Sequence, residues 1–242
     1  MKLLRFLRKK DENPVCSAVI VAAGSSQRMG CDKLSMALGG MPVLARTLKA
    51  FEESPFVEEI VVVTRADRLT EVADLCRQYS FDKVTKVLIG GATRAESSLA
   101  GVSNVSSKAR LIAIHDAARP FVSQELIERT VRAAKAHLSA VPALRCVDTL
   151  KAADEQGFVV GGLDRDKVFR VQTPQVFDAD LIKGALTHAV SHRLPITDDC
   201  SAMELMGVKT FVVEGEEQNL KLTNPADLSL AEALLREKEG KL

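Results

Sequence analysis

Short apolar runs rich in Val, Ile and Ala, each followed by a segment with helical spacing, constrain this chain more than any other feature. The runs are "AVIVAA" (18–23), "EIVVVT" (59–64), "KVLIG" (86–90), "RLIAIHD" (110–116) and "VPALR" (141–145). Their length and β-branched content are those of strands buried on both faces. Between them, "LARTLKAFEE", "RLTEVADLCRQY", "RAESSLAGVSNV" and "SQELIERTVRAAKAHL" repeat apolar residues at the period of an amphipathic helix. Strand and helix in alternation predict an α/β fold: a mostly parallel, Rossmann-like sheet with helices on both faces. Ligands of such sheets bind beyond the carboxyl ends of the strands.

The alternation breaks between Cys146 and Gln172. "CVDTLKAADEQGFVVGGLDRDKVFRVQ" has short segments around "ADEQG" and no helical period, which predicts a protruding antiparallel β-hairpin arm over about residues 146–172. An isolated hairpin is marginal in water, so such an arm needs a partner surface. The earlier pattern returns in "DADLIKGALTHAV", "DDCSAMELMG", the strand "KTFVVEG" and a last helix in "NPADLSLAEALLREKEG", where Asn224 is placed to cap and Pro225 fits the first turn.

A chain of 242 residues with 46% apolar content is sized for one large core, so a single domain is expected over 15–242. Residues 1–14 mix Arg5, Arg8, Lys9 and Lys10 into an apolar stretch too broken for a signal peptide, and are read as a frayed leader. The 33 Lys and Arg nearly cancel the 32 Asp and Glu, so no global field favours nucleic acid or an anionic membrane. No run approaches the length of a membrane span. The five cysteines lie far apart, without a C-x-x-C pair or a His at zinc-ligand spacing, and read as reduced packing thiols of a cytoplasmic protein.

The first run is followed at once by Gly24, two serines, Arg28, Gly30 and Lys33. Five residues separate Gly24 from Gly30, and Cys31 follows, so this is no Walker A loop; Ser26 stands where the dinucleotide fingerprint needs its middle glycine. What remains is a long loop whose backbone donors, with Arg28 and Lys33, can wrap a triphosphate. Asp116 ends the run "LIAIHD", where a hard carboxylate suits Mg²⁺ if phosphates supply the other ligands. His115 points the opposite way along the strand and is read as structural. Gly90 and Gly91 after the third run allow backbone to approach a flat ligand closely.

Together with "AAGSSQRMGCDK", the segments "GGATRAESSLAGV", "HDAARPFV", "VDTLK", "LDRDKVFRVQTPQVF", "ITDDCSAMEL" and "NLKLTNPADLSLAE" resemble, in order and over about residues 15–236, the 2-C-methyl-D-erythritol 4-phosphate cytidylyltransferase family. The resemblance implies an enzyme that joins CTP to that polyol phosphate, releases diphosphate, and serves non-mevalonate isoprenoid synthesis with Mg²⁺ or another divalent cation. It implies Arg28, Lys33 and Lys221 as catalytic cations, and Ala22, Ala23 and Gly24 as the loop around the nucleotide. Backbone at Gly91 and Ala92 and the Ser97 side chain would read cytosine. Asp116 would face metal and substrate, and Arg119 the polyol phosphate. By the same resemblance the arm crosses to a second subunit of a homodimer and presents Thr149 and Arg165 to its substrate, with Thr197 a further contact and Gln175 part of the rim.

This sequence departs from the family pattern in places. Ala92 stands where many relatives have Asp, which a backbone contact survives, and Gln218 stands where some carry an acid, so it is given no metal role. Cys31 and Asp32 make the loop before Lys33 a little shorter than in some relatives, which puts the reach of Lys33 in question. No general base is needed, because the nucleophile is a phosphomonoester already largely dianionic at neutral pH. The alternatives are a ribitol 5-phosphate cytidylyltransferase, a uridylyl- or guanylyltransferase, and a non-catalytic nucleotide-binding module.

Overall fold

The computed structural model describes residues 15–24, 32–238 and 240. Arg28 and the leader at 1–14 therefore lie outside the described residues. In chain order the elements are β1 (Cys16–Val21), β2 (Ala37–Leu38), β3 (Met41–Pro42), α1 (Val43–Glu52), β4 (Glu59–Thr64), α2 (Leu69–Gln78), β5 (Val84–Ile89), α3 (Arg94–Val102), β6 (Leu111–Asp116), α4 (Gln124–His137), β7 (Ser139–Arg145), β8 (Lys151–Ala153), β9 (Val159–Gly162), β10 (Phe169–Val171), β11 (Gln175–Asp178), α5 (Ala179–Ser191), α6 (Asp199–Leu205), β12 (Phe211–Glu214) and α7 (Pro225–Lys238).

The main sheet runs β10-β7-β11-β6-β1-β4-β5, with β12 on β7. Pairing is parallel from β6 through β1 and β4 to β5, and again between β12 and β7. The antiparallel members are β10 and β11. They pair with opposite ends of β7, β10 on 143–145 and β11 on 139–140, and β11 also pairs with β6. Neither was foreseen: the expected arm extended through residue 172, but Phe169–Val171 belongs to the main sheet. The hairpin proper is only β8 with β9. Its turn is closed by Asp154, whose Oδ1 accepts from the backbone N of Gln156 and Phe158, with Gly157 at a φ of 90°.

Side chains alternate across the sheet as strand geometry requires. Ala18, Ile20, Ile60, Val62, Leu111 and Ala113 face one layer, where α1, α2, α4 and α7 contribute Leu48, Phe51, Val72, Leu126 and Ala231. Val19, Val61, Val63, Ile112 and Ile114 face the other, where α3, α5 and α6 contribute Val102, Ile182, Leu186 and Met203. Each fully buried Ile or Leu here contributes about 1.5–3 kcal/mol of transfer free energy, and both faces of β1, β4 and β6 are filled. That two-sided packing fixes the strand ends, and the strand ends carry the site.

Candidate active site

A cleft of about 640 Å³ opens at the carboxyl ends of β1, β5 and β6. Its near wall is the β1 exit, where Ala22 N donates to the Val63 carbonyl at 2.7 Å and so keeps the chain in line before Ala23 and Gly24 turn into the cleft. Its far wall is the turn from β5 into α3. Gly90 is obligatory there: a Cβ would come within 2.6 Å of Ser97 Oγ and 2.9 Å of Ala23 Cβ. The helix then starts on a capping box, in which Thr93 N donates to Glu96 Oε2 at 2.9 Å and Glu96 N to Thr93 Oγ1 at 3.1 Å. Arg94, the first residue of α3, lines the cleft beside Thr93 and Ser97. The Ser97 hydroxyl donates to the Thr93 carbonyl at 2.9 Å, so toward a ligand it can act only as an acceptor.

Asp116, the last residue of β6, sits at the floor. Its backbone N donates to Thr173 Oγ1 at 3.1 Å, and the same hydroxyl meets His115 Nδ1 at 3.0 Å. His115 is fully buried, tilted against Phe51, and pushed down to about 3 by that burial, so the ring is neutral and holds structure. Lys221 comes from the segment before α7. The segment is pinned on both sides: Asn219, fully buried, donates its side-chain amide to the Thr173 carbonyl at 2.8 Å, and Leu222 N donates to the Ala118 carbonyl at 2.9 Å. Lys221 Nζ then lies 2.9 Å from Asp116 Oδ2.

Three cations thus surround one carboxylate: Lys221 at 2.9 Å, Arg94 at 3.4 Å and Arg119 at 3.8 Å. Burial alone would raise the Asp116 pKa, but the charges of Lys221, Arg94 and Arg119 overcome it and hold the carboxyl well below the usual range. Arg94 is raised despite its own burial, because it faces both Asp116 and Asp199. The site is an ionised carboxylate outnumbered by cations, of which Lys221 and Arg94 remain partly exposed, and such a site is a receptacle for anions.

Of the residues expected from sequence, Ala22, Ala23, Gly24, Lys33, Gly91, Ala92, Ser97, Asp116 and Lys221 converge on this one cleft. Lys33 is half-buried on its wall, and its neighbour Asp32 is drawn the other way, paired with Arg65 and Arg68. Arg119 reaches Asp116 but turns inward, donating from Nη1 to the Asn219 carbonyl at 2.7 Å; it anchors the Lys221 segment. Thr149 and Arg165 are exposed at the base of the hairpin, and neither lines this chain's cleft. Arg165 Nη1 donates to the Val147 carbonyl at 3.2 Å. Thr197 is exposed ahead of α6, its hydroxyl 3.1 Å from Ser201 Oγ. Gln175 ties the rim together, donating to Asp198 Oδ2 at 2.7 Å and accepting from Cys200 N at 3.0 Å. Sequence reasoning missed Arg94, although its place at the start of a helix after a strand-end glycine pair was the available signal, and it missed the buried Asp199 altogether.

Glycine-bearing loops and converging cations at the carboxyl edge of a parallel sheet define an α/β nucleotidyltransferase. The chain belongs to the IspD family, 2-C-methyl-D-erythritol 4-phosphate cytidylyltransferase, whose sequence profile matches residues 16–237. The enzyme of that name from Halalkalibacterium halodurans is 42% identical over 92% of this chain and 98% of its own length. That from Caldanaerobacter subterraneus subsp. tengcongensis is 39% identical over 91% and 98%. Among solved structures, the 4-diphosphocytidyl-2C-methyl-D-erythritol synthase of Anaerococcus prevotii superposes with a TM-score of 0.82 at 31% identity, covering 93% of this chain and 97% of that one. The Thermus thermophilus cytidylyltransferase gives 0.76 at 33%, covering 92% and 99%.

Proposed function

We propose that this chain transfers the cytidylyl group of CTP to 2-C-methyl-D-erythritol 4-phosphate. A phosphate oxygen of the acceptor attacks the α-phosphorus, a P–O bond forms to it, and the bond to the β-phosphate oxygen breaks to release diphosphate. The observation that carries the reading is the convergence of Lys33, Arg94 and Lys221, from three distant points of the chain, on one cleft around Asp116.

In-line transfer spreads charge over the equatorial oxygens of the attacked phosphorus, so catalysis reduces to positioning and fixed positive charge. Lys33, on the wall of the cleft, would face the triphosphate, and the family resemblance gives Arg28 the same task. Lys221 is held rigid by Asn219 and Leu222 and is placed to stabilise the attacked phosphate. The neutral, buried His115 is not needed as a base, since the acceptor dianion arrives deprotonated. Backbone at Gly91 and Ala92, with Ser97, forms the flat slot for cytosine.

Among the described residues no three His, Cys, Asp or Glu side chains gather as a metal nest. That fits Mg²⁺ only in the mode where phosphate oxygens and water supply most ligands and Asp116 one at most. When bound, the ion supplies further neutralisation of the phosphates. The hairpin presents Val147, Phe158, Val159, Val160 and Leu163, all more than half exposed, which supports a homodimer in which Thr149 and Arg165 serve the other copy's cleft. No helix among the described residues is long and apolar enough to cross a membrane. Free thiols at Cys16, Cys76, Cys146 and Cys200 support a cytoplasmic setting.

The test is diphosphate release from CTP with methylerythritol phosphate, and with ribitol 5-phosphate in parallel. Wild type is expected to use the former at least a hundredfold better in kcat/KM. Lys33→Ala should lose several orders of magnitude, about 4 kcal/mol of transition-state stabilisation. Turnover of ribitol phosphate alone, or an unaffected Lys33 variant, would defeat the reading.

A further inference from the structure

Arg94, one of the converging cations, is paired with Asp199, a residue to which the chemistry above gives no part. Asp199 opens the first turn of α6 with its side chain fully buried, and Arg94 Nη2 lies 2.7 Å from its Oδ2. Neither Asp199 oxygen has a well-aligned hydrogen bond among the described residues, and burial pushes its pKa up against the pull of Arg94 and of the nearby Ser98 hydroxyl. A carboxylate taken wholly out of water is tolerated only beside an opposite charge, and the charge here is a cleft residue. The same nitrogen, Nη2, is 3.4 Å from Asp116 Oδ1. One guanidinium nitrogen therefore spans two carboxylates: it lies closer to the hidden one, at 2.7 Å, while its aligned hydrogen bond, 3.4 Å long, goes to the one in the cleft.

The capping residue just before Asp199 shows that the pairing is separate from helix initiation. Asp198 caps α6 by accepting from Ser201 N at 3.0 Å and fixes the rim through Gln175, so Asp199 is not needed as the cap of that helix. Without Asp199, the pull that opposes closer pairing of Arg94 with Asp116 would be lost, and a fork-to-fork pair, the geometry guanidinium and carboxylate prefer, would be favoured. Such a pair would neutralise Asp116, withdraw Arg94 from the ligand space, and compete with Lys221 for the same carboxylate.

We propose that Asp199 is a positioning residue: it pulls the Arg94 guanidinium away from Asp116 and aims it at the reacting phosphates, making Arg94 a substrate-contacting cation of the cleft. This rests on the cytidylyl-transfer reading above, and it deepens that reading by naming how the cleft keeps a cation available beside an anionic side chain.

The experiment is a double-mutant cycle of Asp199→Asn and Arg94→Ala, read in kcat, in KM for CTP, and in urea midpoint. Asp199→Asn alone should lower kcat ten- to a hundredfold while KM for CTP moves less than about threefold. In the Arg94→Ala background it should cause no further fall in kcat, because its target is gone. It should also raise the urea midpoint there, because it removes a stranded buried charge. Multiplicative losses in kcat, or an Asp199→Asn enzyme with wild-type kcat, would overturn the proposal. Should Asp199→Asn fail to fold, Arg94→Lys decides: it keeps a charge beside Asp199 and hence stability, but has no fork to span both directions. It should lose at least tenfold in kcat, and wild-type turnover would refute the idea. If wild type releases no diphosphate from CTP, the functional reading falls while the midpoint half of the cycle still reports on the Arg94–Asp199 coupling.

Discussion

Asp116→Asn is the perturbation that interrogates the electrostatics of the cleft most directly. Asn keeps the shape and removes the charge around which Lys221, Arg94 and Arg119 gather at 2.9, 3.4 and 3.8 Å. At an effective dielectric constant near 20 the first two contacts alone are gross attractions of about 6 and about 5 kcal/mol. Most of that is offset by desolvating a carboxylate only 9% exposed, and the pairs to Lys221 and Arg94 are further screened because those side chains are 39% and 31% exposed. About 3 kcal/mol of stability should remain to be lost at pH 7, the usual cost of stranding one side of a buried pair. The sign with pH follows from the depressed folded pKa: the contribution is complete above the unfolded value of about 4 and fades only as pH falls below it. Urea unfolding without divalent ions at pH 7, 5 and 3 measures this. The gap between wild type and variant should be equal at pH 7 and 5 and narrower at pH 3. Adding Lys221→Met should give a double-mutant coupling of at least 1 kcal/mol. A variant as stable as wild type, or a gap that closes between pH 7 and 5, would refute the reasoning.

Two further outcomes follow from the same geometry. Glu59, buried at the start of β4, accepts from Ser17 Oγ at 2.7 Å, Ser106 N at 2.7 Å and Thr85 Oγ1 at 2.9 Å, and these donors outweigh burial to lower its pKa. Glu59→Gln turns one acceptor into a donor facing other donors, so about 2 kcal/mol should be lost at pH 7 by urea titration, with the gap closing in acid as the wild-type carboxylate protonates. Phe158, 71% exposed on the hairpin, should contribute to the contact between two copies: Phe158→Asp is expected to shift sedimentation from dimer to monomer at micromolar concentration with unchanged circular dichroism, and a wild type that sediments as a monomer at 100 µM would remove the dimer from the mechanism.

How far the sequence could be read depended on whether a segment's neighbours in space were also its neighbours in pattern. β1, β4 and β6 announce themselves because both faces of each are covered, so apolar residues run on with little polar interruption, and Asp116 is legible as the end of such a run; β5, at the sheet edge with Thr85, Lys86 and Ile89 exposed, is legible only through its short apolar half and the Gly90–Gly91 turn that follows it. β10 and β11 do not announce themselves. "FRV" and "QVFD" are three and four residues long and flank a proline, which reads as breakage. β11 is a strand because it fills the ladder between β6 and β7, and β10 because it pairs with the far end of β7. That same insertion puts Thr173 beside Asp116 and His115 and gives Asn219 its anchor, so the position of Lys221 is decided by strands that local pattern hides.

The cations and carboxylates of the cleft carry the argument one step further. A lone Arg at a helix start and a pair of aspartates before a short helix are ordinary surface features in sequence, and each is more often solvated than buried. What turns them into a site is that α3 and α6 lie on the same face of the sheet and both begin near its carboxyl edge. In that arrangement a strand-end carboxylate, a helix-start arginine and a second carboxylate behind it meet at 2.7 and 3.4 Å without any of them being near another in the chain. Arg94 reaches that edge directly from β5, which is parallel to its neighbour, whereas Asp199 reaches it by way of the antiparallel β11 and the helix α5 that follows. The charge pattern of the site is therefore a property of topology, and a substitution that shifts α6 by one ångström should alter catalysis as surely as one that removes Arg94.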